Sequence, residues 1–307
     1  MRREWLYIFL LVIMGLFTAC KQPPTEEQKA VPVYTPVGLA EFSSFRRLYR
    51  YDKSLSTGRV IETVDAPEWR REKLEFSGAN DSLAIGYLYL PKNAKAPYQV
   101  IAYLPAGDVY GGFSTLPTHV ETFASSQIKA GRAVFAVVLR GFIGREHPPG
   151  HKPPAIDSMR YRDEAVTDVR DIQRGLDYLE TRPDMDMSKL SFWGYSAGAE
   201  FGVIVAALDP RFRSAVFMAD GLSLLNQKKA PEVNIANFAP YIRIPKLLIN
   251  GRYDEQYSWR LETEPLIRLL REPKQLVQYD GGHTPPQEIA IPAISRFLDE
   301  HLGPVAH

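Results

Sequence analysis

The chain has 307 residues, 45% of them hydrophobic, and its 37 Lys and Arg nearly balance 36 Asp and Glu, for a formal net charge of +1. That balance excludes bulk electrostatic attraction to nucleic acid, so no nucleic-acid partner is expected. The hydrophobic fraction suffices for one large core, and the single cysteine, Cys20, excludes an internal disulfide.

At the N-terminus, Arg2 and Arg3 precede an apolar run over 6–17, followed by Thr18, Ala19 and Cys20. A basic start, about a dozen apolar residues and a small-residue end make the pattern of a signal peptide over 1–20. The run is too short for a hydrocarbon core that needs roughly 20 residues, so export is expected rather than a permanent span. Phe17-Thr18-Ala19-Cys20 resembles the lipobox of bacterial lipoproteins, with Phe17 where Leu is usual. The resemblance implies lipidation of Cys20 and, with Lys21 rather than Asp following, anchoring to the outer membrane of the cell envelope. Residues 21–40 begin with a stretch rich in Pro, Glu, Gln and Lys, which cannot bury enough surface to fold. They read as a tether reaching on the order of 50 Å at about 3.1 Å per residue, and 41–307 as one domain.

Within the domain, Phe42, Phe45, Leu48 and Tyr49 recur at helical spacing between Arg46, Arg47 and Arg50, predicting a packed amphipathic segment rather than a nucleic-acid contact. Residues 70–76 and 83–90 predict an antiparallel hairpin at a sheet edge. Apolar runs at 100–104, 133–139, 190–193, 215–218, 247–249 and 276–279 predict further strands, several continuous enough for a sheet covered on both faces. Helices are predicted over 119–130, 199–208, 265–270 and 289–301, and around Val169, Ile172, Leu176 and Leu179. The alternation implies an α/β fold with a mostly parallel eight-stranded sheet and helices on both faces. Residues 140–160 hold Arg140, Arg145, His147, His151, Lys152 and Arg160 among many prolines. They read as a stiff solvated loop, with a basic wall for an acidic substrate as the alternative. Residues 222–244 stand where a lid can be inserted, and their shortness predicts a short lid over an open cleft.

The chemistry enters at Gly194-Tyr195-Ser196-Ala197-Gly198, between an apolar strand and a helical segment. This is the context of a nucleophile elbow, where the serine sits on a sharp turn and glycine tolerates the close backbone approach on either side. A serine hydroxyl needs a base to take its proton, and the base needs an acid to hold its tautomer. Three histidines follow Ser196: His283, His301 and His307. His283 is the candidate base, because it lies in a Gly281-Gly282 loop just after a strand, whereas His301 belongs to the last helix and His307 ends the chain. Asp254, after the strand and Asn250-Gly251-Arg252-Tyr253, is the candidate acid, with Asp220 at the end of the preceding strand as runner-up. Asp209 reads as a turn residue, and Asp280 is too close in sequence to reach the ring of His283.

Through these motifs the chain resembles the α/β-hydrolase superfamily over nearly all of 70–303, and within it the dienelactone hydrolase, acetyl xylan esterase and prolyl oligopeptidase-like branches. The resemblance implies the α/β-hydrolase fold and a Ser196–His283–Asp254 triad acting through an acyl-enzyme, with no cofactor and no metal. It also implies an oxyanion hole from the backbone N–H of Ala197 and one in Leu104-Pro105-Ala106-Gly107-Asp108. The match points to Gly107, while Pro105 and Ala106 depart from the His-Gly-Gly of many relatives. Ser196 stands where dienelactone hydrolases proper use cysteine, and the chain has no room for the propeller of prolyl oligopeptidases. The expectation is a carboxylic ester hydrolase acting on a small-molecule or polysaccharide ester, ahead of a peptidase or amidase. A non-catalytic envelope lipoprotein with the same fold is the reading from a different class.

Overall fold

The structure, a computed structural model, describes residues 29–53 and 56–305. The expected signal peptide, Cys20 and residues 21–28 of the expected tether lie outside the described residues. The chain divides after Pro32, and the unit from Val33 onward carries all the elements below. Among the described residues no helix is long and apolar enough to cross a membrane.

The sheet has nine strands: β1 (Gly58–Asp65), β2 (Trp69–Ser77), β3 (Leu83–Pro91), β4 (Tyr98–Leu104), β5 (Ala133–Val138), β6 (Met185–Tyr195), β7 (Ser214–Met218), β8 (Lys246–Gly251) and β9 (Lys274–Tyr279). Their order is β1-β2-β3-β5-β4-β6-β7-β8-β9, antiparallel as far as β3–β5 and parallel from β5 to β9. Every residue of β5, β7 and β8 is buried, which is why these strands read as unbroken apolar runs. The strand beyond the expected eight is β1, where all residues but one are exposed; without a buried face there is no alternation to mark it.

Helices cover both faces: α1 (Leu39–Leu48), α2 (Gly107–Tyr110), α3 (Leu116–Phe123), α4 (Ser125–Lys129), α5 (Met159–Glu180), α6 (Ala197–Leu208), α7 (Glu264–Leu269) and α8 (Gln287–Leu302). The Ser158 hydroxyl caps α5 by accepting from the Tyr161 N–H at 3.1 Å, and Val169, Ile172, Leu176 and Leu179 form its buried stripe. The helix expected over 119–130 is two, because the chain bends at Ala124, a buried residue shared by α3 and α4.

Two segments pack more closely than expected. Residues 222–244 form short 3₁₀ turns whose Val233, Ile235, Phe238 and Ile242 are buried, so the expected lid is a packed wall rather than a flap. Phe42 of α1 stacks on Tyr241 at 3.7 Å between ring centroids and meets Phe238 edge-on at 5.6 Å. The Val37 N–H donates to Asn237 Oδ1 at 3.1 Å, and the Tyr241 hydroxyl donates to the Val37 carbonyl at 2.8 Å. The packed unit therefore reaches back into residues expected in the tether.

The parallel strands place the site. Leu104 pairs with Gly194 at the ends of β4 and β6, and Gly251 pairs with Tyr279 at the ends of β8 and β9. The loops carrying Gly107, Ser196, Asp254 and His283 thus leave the same edge of the sheet.

Candidate active site

Ser196 is the single residue between β6 and α6, and its φ of 54° and ψ of −119° lie in a region that L-residues avoid, at a cost on the order of 1–3 kcal/mol. Its N–H donates to the Met218 carbonyl at 2.8 Å. The two motif glycines are required sterically: a Cβ at Gly194 would lie 2.5 Å from Ala199 Cα, and one at Gly198 would lie 2.5 Å from the Leu104 carbonyl oxygen.

Ser196 Oγ lies 2.8 Å from His283 Nε2, and His283 Nδ1 lies 2.8 Å from Asp254 Oδ2 and 3.0 Å from Oδ1. All three residues are buried. The network assigns the tautomer: Nδ1–H donates to the carboxylate, leaving Nε2 to accept from the serine hydroxyl. Asp254 Oδ1 also accepts from the N–H groups of Gln256 at 2.8 Å and Tyr257 at 3.0 Å. Burial alone would raise this carboxyl, but the His283 hydrogen bond and the two backbone donors outweigh it and hold its pKa below the ordinary value. The loops bearing Asp254 and His283 are stitched together, Tyr253 N–H donating to the Gly281 carbonyl at 3.0 Å. A Cβ at Gly251 would strike the carbonyls of Gly281 and Gly282.

The other carboxylates stand apart. Asp220 is fully buried, Oδ1 accepts from Gly221 N–H at 2.8 Å, and Oδ2 has no hydrogen-bond partner. Burial, then the charge of Glu200, pushes its pKa well above the ordinary value. Asp209 pairs with Arg211, and exposed Asp280 lies 3.3 Å from Arg252. His301 packs on Phe297 in α8, and His307 lies outside the described residues.

Ser196 and His283 open into a half-open cleft of about 290 Å³ that Gly107, Asp108, His119 and Gln256 also line. Gly107 begins α2 and Ala197 begins α6; a Cβ on Gly107 would lie 3.9 Å from that of Ala197. The first N–H groups of a helix have no acceptor within it, which leaves both available to a ligand atom. The preceding N–H, of Ala106, donates to His119 Nε2 at 3.3 Å, and His119 Nδ1 is 2.9 Å from the Tyr103 hydroxyl. Burial lowers the pKa of His119 to about 4 against the opposing charge of Asp108, so the ring is neutral and fit to accept. Nothing in the local sequence singles out His119, whose partners come from β4 and the loop after it.

The basic loop is tied down rather than turned into the cleft. Arg140 and Arg145 lie 3.4 Å and 2.7 Å from Asp171 of α5, and Arg160 lies 3.0 Å from Glu164. The stiff-loop reading is the one the ion pairs favour. The His147-x-x-x-His151 spacing, which local sequence could have flagged, gathers with Glu164 to put ligand-type atoms within 4.8 Å of one another. The two imidazoles, however, are stacked face to face at 3.6 Å, so their lone pairs lie in two parallel planes that do not meet at one ion.

A sequence model of the dienelactone hydrolase family matches residues 85–254, more than half of the chain. No curated protein matches the chain. Among solved structures, an acetyl xylan esterase from Paenibacillus sp. R4 is similar at 19% identity and a TM-score of 0.67, covering 92% of this chain and 100% of that one. Acetyl Xylan Esterase 1 from Thermoanaerobacterium sp. JW/SL YS485 is similar at 17% identity and a TM-score of 0.62, covering 86% and 94%. A glucuronoyl esterase from Solibacter usitatus is similar at 13% identity and a TM-score of 0.54, covering 88% and 97%. These likenesses carry the fold, an α/β-hydrolase architecture. On the matched span and the arrangement around the elbow, the chain belongs to the dienelactone hydrolase family.

Proposed function

We propose that the protein is a serine esterase that cleaves carboxylic esters through an acyl-enzyme. The observation that carries this reading is the unbroken relay from Ser196 Oγ to His283 Nε2 and from His283 Nδ1 to Asp254, at 2.8 Å for each link. In the first half-reaction His283 takes the proton as Ser196 Oγ bonds to the ester carbonyl carbon, and Asp254 steadies the imidazolium. The negative charge on the carbonyl oxygen is met by the N–H groups of Ala197 and Gly107; the use of the Ala106 N–H by His119 supports Gly107 as the second donor. The carbon–oxygen bond to the alcohol then breaks, and His283 hands its proton to the departing oxygen. Water repeats the cycle on the acyl-serine, releasing the acid. Loss of one oxyanion donor typically costs about 10² to 10³ in kcat.

The polar cleft suits a small-molecule or polysaccharide ester. Neighbours named acetyl xylan and glucuronoyl esterases make ester cleavage the first choice over amide cleavage. Export through residues 1–20, lipid anchoring at Cys20 to the outer membrane, and a catalytic domain over 41–307 complete the reading. The test is hydrolysis of p-nitrophenyl acetate and butyrate by the full chain beside Ser196→Ala. Activity lost on substitution is the expected result. Equal activity in the variant, or none in a folded wild-type protein, overturns it and promotes the binding lipoprotein.

A further inference from the structure

A second cavity, of about 240 Å³, is lined by Ala197, the residue next to Ser196. Its walls are Ala165 of α5, Phe201 and Ile204 of α6, and Val233 and Ile235 of the 222–244 wall, with Tyr110 and Tyr161 adding aromatic surface. No described residue lines both this cavity and the cleft that holds His283. The chemistry of acyl transfer assigns the two spaces. His283 must deliver its proton to the leaving oxygen, so the alcohol occupies the polar cleft on the His283 side. With the carbonyl oxygen between Ala197 and Gly107, the acyl substituent diverges from the alcohol and points away from His283.

The cavity is far larger than an acetyl methyl needs, since about 150 Å³ already admits benzene. It is also not uniformly apolar. Lys229 and Glu200 line it as an ion pair at 2.7 Å, both largely buried. The carboxylate is crowded: Oε1 also accepts from Asn226 Nδ2 at 2.6 Å, and Oε2 accepts from the Tyr257 hydroxyl at 2.9 Å. The ammonium has three donors, of which Glu200 takes one and Tyr161 engages a second, leaving one for a ligand, and it stands 5.9 Å from the Tyr161 ring centroid. Burial disfavours its charge, yet Glu200 and Tyr161 together outweigh it and raise its pKa, so the ammonium keeps its protons at neutral pH.

We propose that this cavity is the acyl pocket, and that the physiological ester carries an aryl-bearing acyl group whose far end is a hydroxyl or similar acceptor received by Lys229. The proposal rests on the serine-esterase reading and goes beyond it in naming the acyl class. It sets this chain apart from a plain deacetylase. A pinning role for the ion pair alone would make Lys229 matter equally for every substrate.

The experiment compares kcat/KM of the full chain for p-nitrophenyl acetate, cinnamate and 4-hydroxycinnamate, which share one leaving group. The wild type is expected to prefer both aryl esters to acetate by at least about 10-fold, and 4-hydroxycinnamate to cinnamate. Ala165→Phe, which fills the pocket, is expected to lower the aryl-to-acetate ratio by at least about 10-fold. Lys229→Met is expected to lower the 4-hydroxycinnamate-to-cinnamate ratio by on the order of 10-fold, a ratio that general loss of folded enzyme does not move. A wild-type preference for acetate, or an aryl-to-acetate ratio unmoved by Ala165→Phe, overturns the acyl pocket; a hydroxyl preference unmoved by Lys229→Met overturns the role of Lys229. If no ester is hydrolysed and Ser196 resists a fluorophosphonate, the esterase reading itself falls and takes this proposal with it.

Discussion

Asp220 and Asp254 each lie just past the C-terminal end of a parallel strand, on neighbouring β7 and β8, and both are buried. Their surroundings differ in the supply of donors and in the charge beside them. Asp254 accepts from His283 and two backbone N–H groups, whereas Asp220 accepts from Gly221 alone and leaves Oδ2 unpartnered beside the charge of Glu200. The pKa of the first is held below its ordinary value and that of the second is pushed above it. Position at a strand end therefore does not by itself lower a carboxyl's pKa. The turn that follows does, by aiming N–H groups at the carboxylate.

The comparison can be broken most forcefully at Asp254. Asp254→Asn is expected to lower kcat/KM for p-nitrophenyl acetate by about 10⁴, because an amide favours the wrong tautomer of His283. Its stability effect has a sign as well. A depressed carboxyl contributes stability above its unfolded pKa and loses it as pH falls through the folded value. Thermal melts of Asp254→Asn should lie below wild type near neutrality and converge with it in acid.

Asp220→Asn should run the other way. A raised carboxyl stabilises the folded state fully only below the unfolded pKa of about 3.9 and loses that contribution as pH climbs toward the folded value. The variant and wild type should therefore melt together in acid, with the variant rising above wild type toward neutral pH. Each kcal/mol would appear as roughly 2–4 °C in Tm, and esterase activity should stay within a few-fold. A collapse of activity, or a wild type that gains on the variant as pH rises, would contradict the assignment. The smallest effect is expected at Asp280, three residues before His283 but exposed and paired with Arg252 at the surface. Asp280→Asn should change stability by less than about 0.5 kcal/mol in the same melts.

These contrasts show what local sequence carries. Gly194, Ser196 and Gly198 were legible because each meets a steric demand of a turn five residues long. Asp254 and His283 were legible because both follow apolar strands directly. The donors that set Asp254 apart from Asp220 were not, since backbone N–H groups have no signature in residue type. His119 lies inside what reads as an ordinary helix, and its role depends on Tyr103 and Ala106. The Lys229–Glu200 pair joins residues 29 positions apart, which only the packing of 222–244 against α6 brings together. β1 escaped because it buries nothing, and the lid proved to be a wall because Phe42 reaches it from the far N-terminal side of the domain.

The most direct test of the central claim is fluorophosphonate labelling of the full chain, read by peptide mapping in a mass spectrometer. One adduct on the peptide containing Ser196, absent when His283 is replaced by Ala, is the predicted result. An unlabelled protein that is demonstrably folded, or an adduct on another serine, would contradict the assignment of Ser196 as the nucleophile.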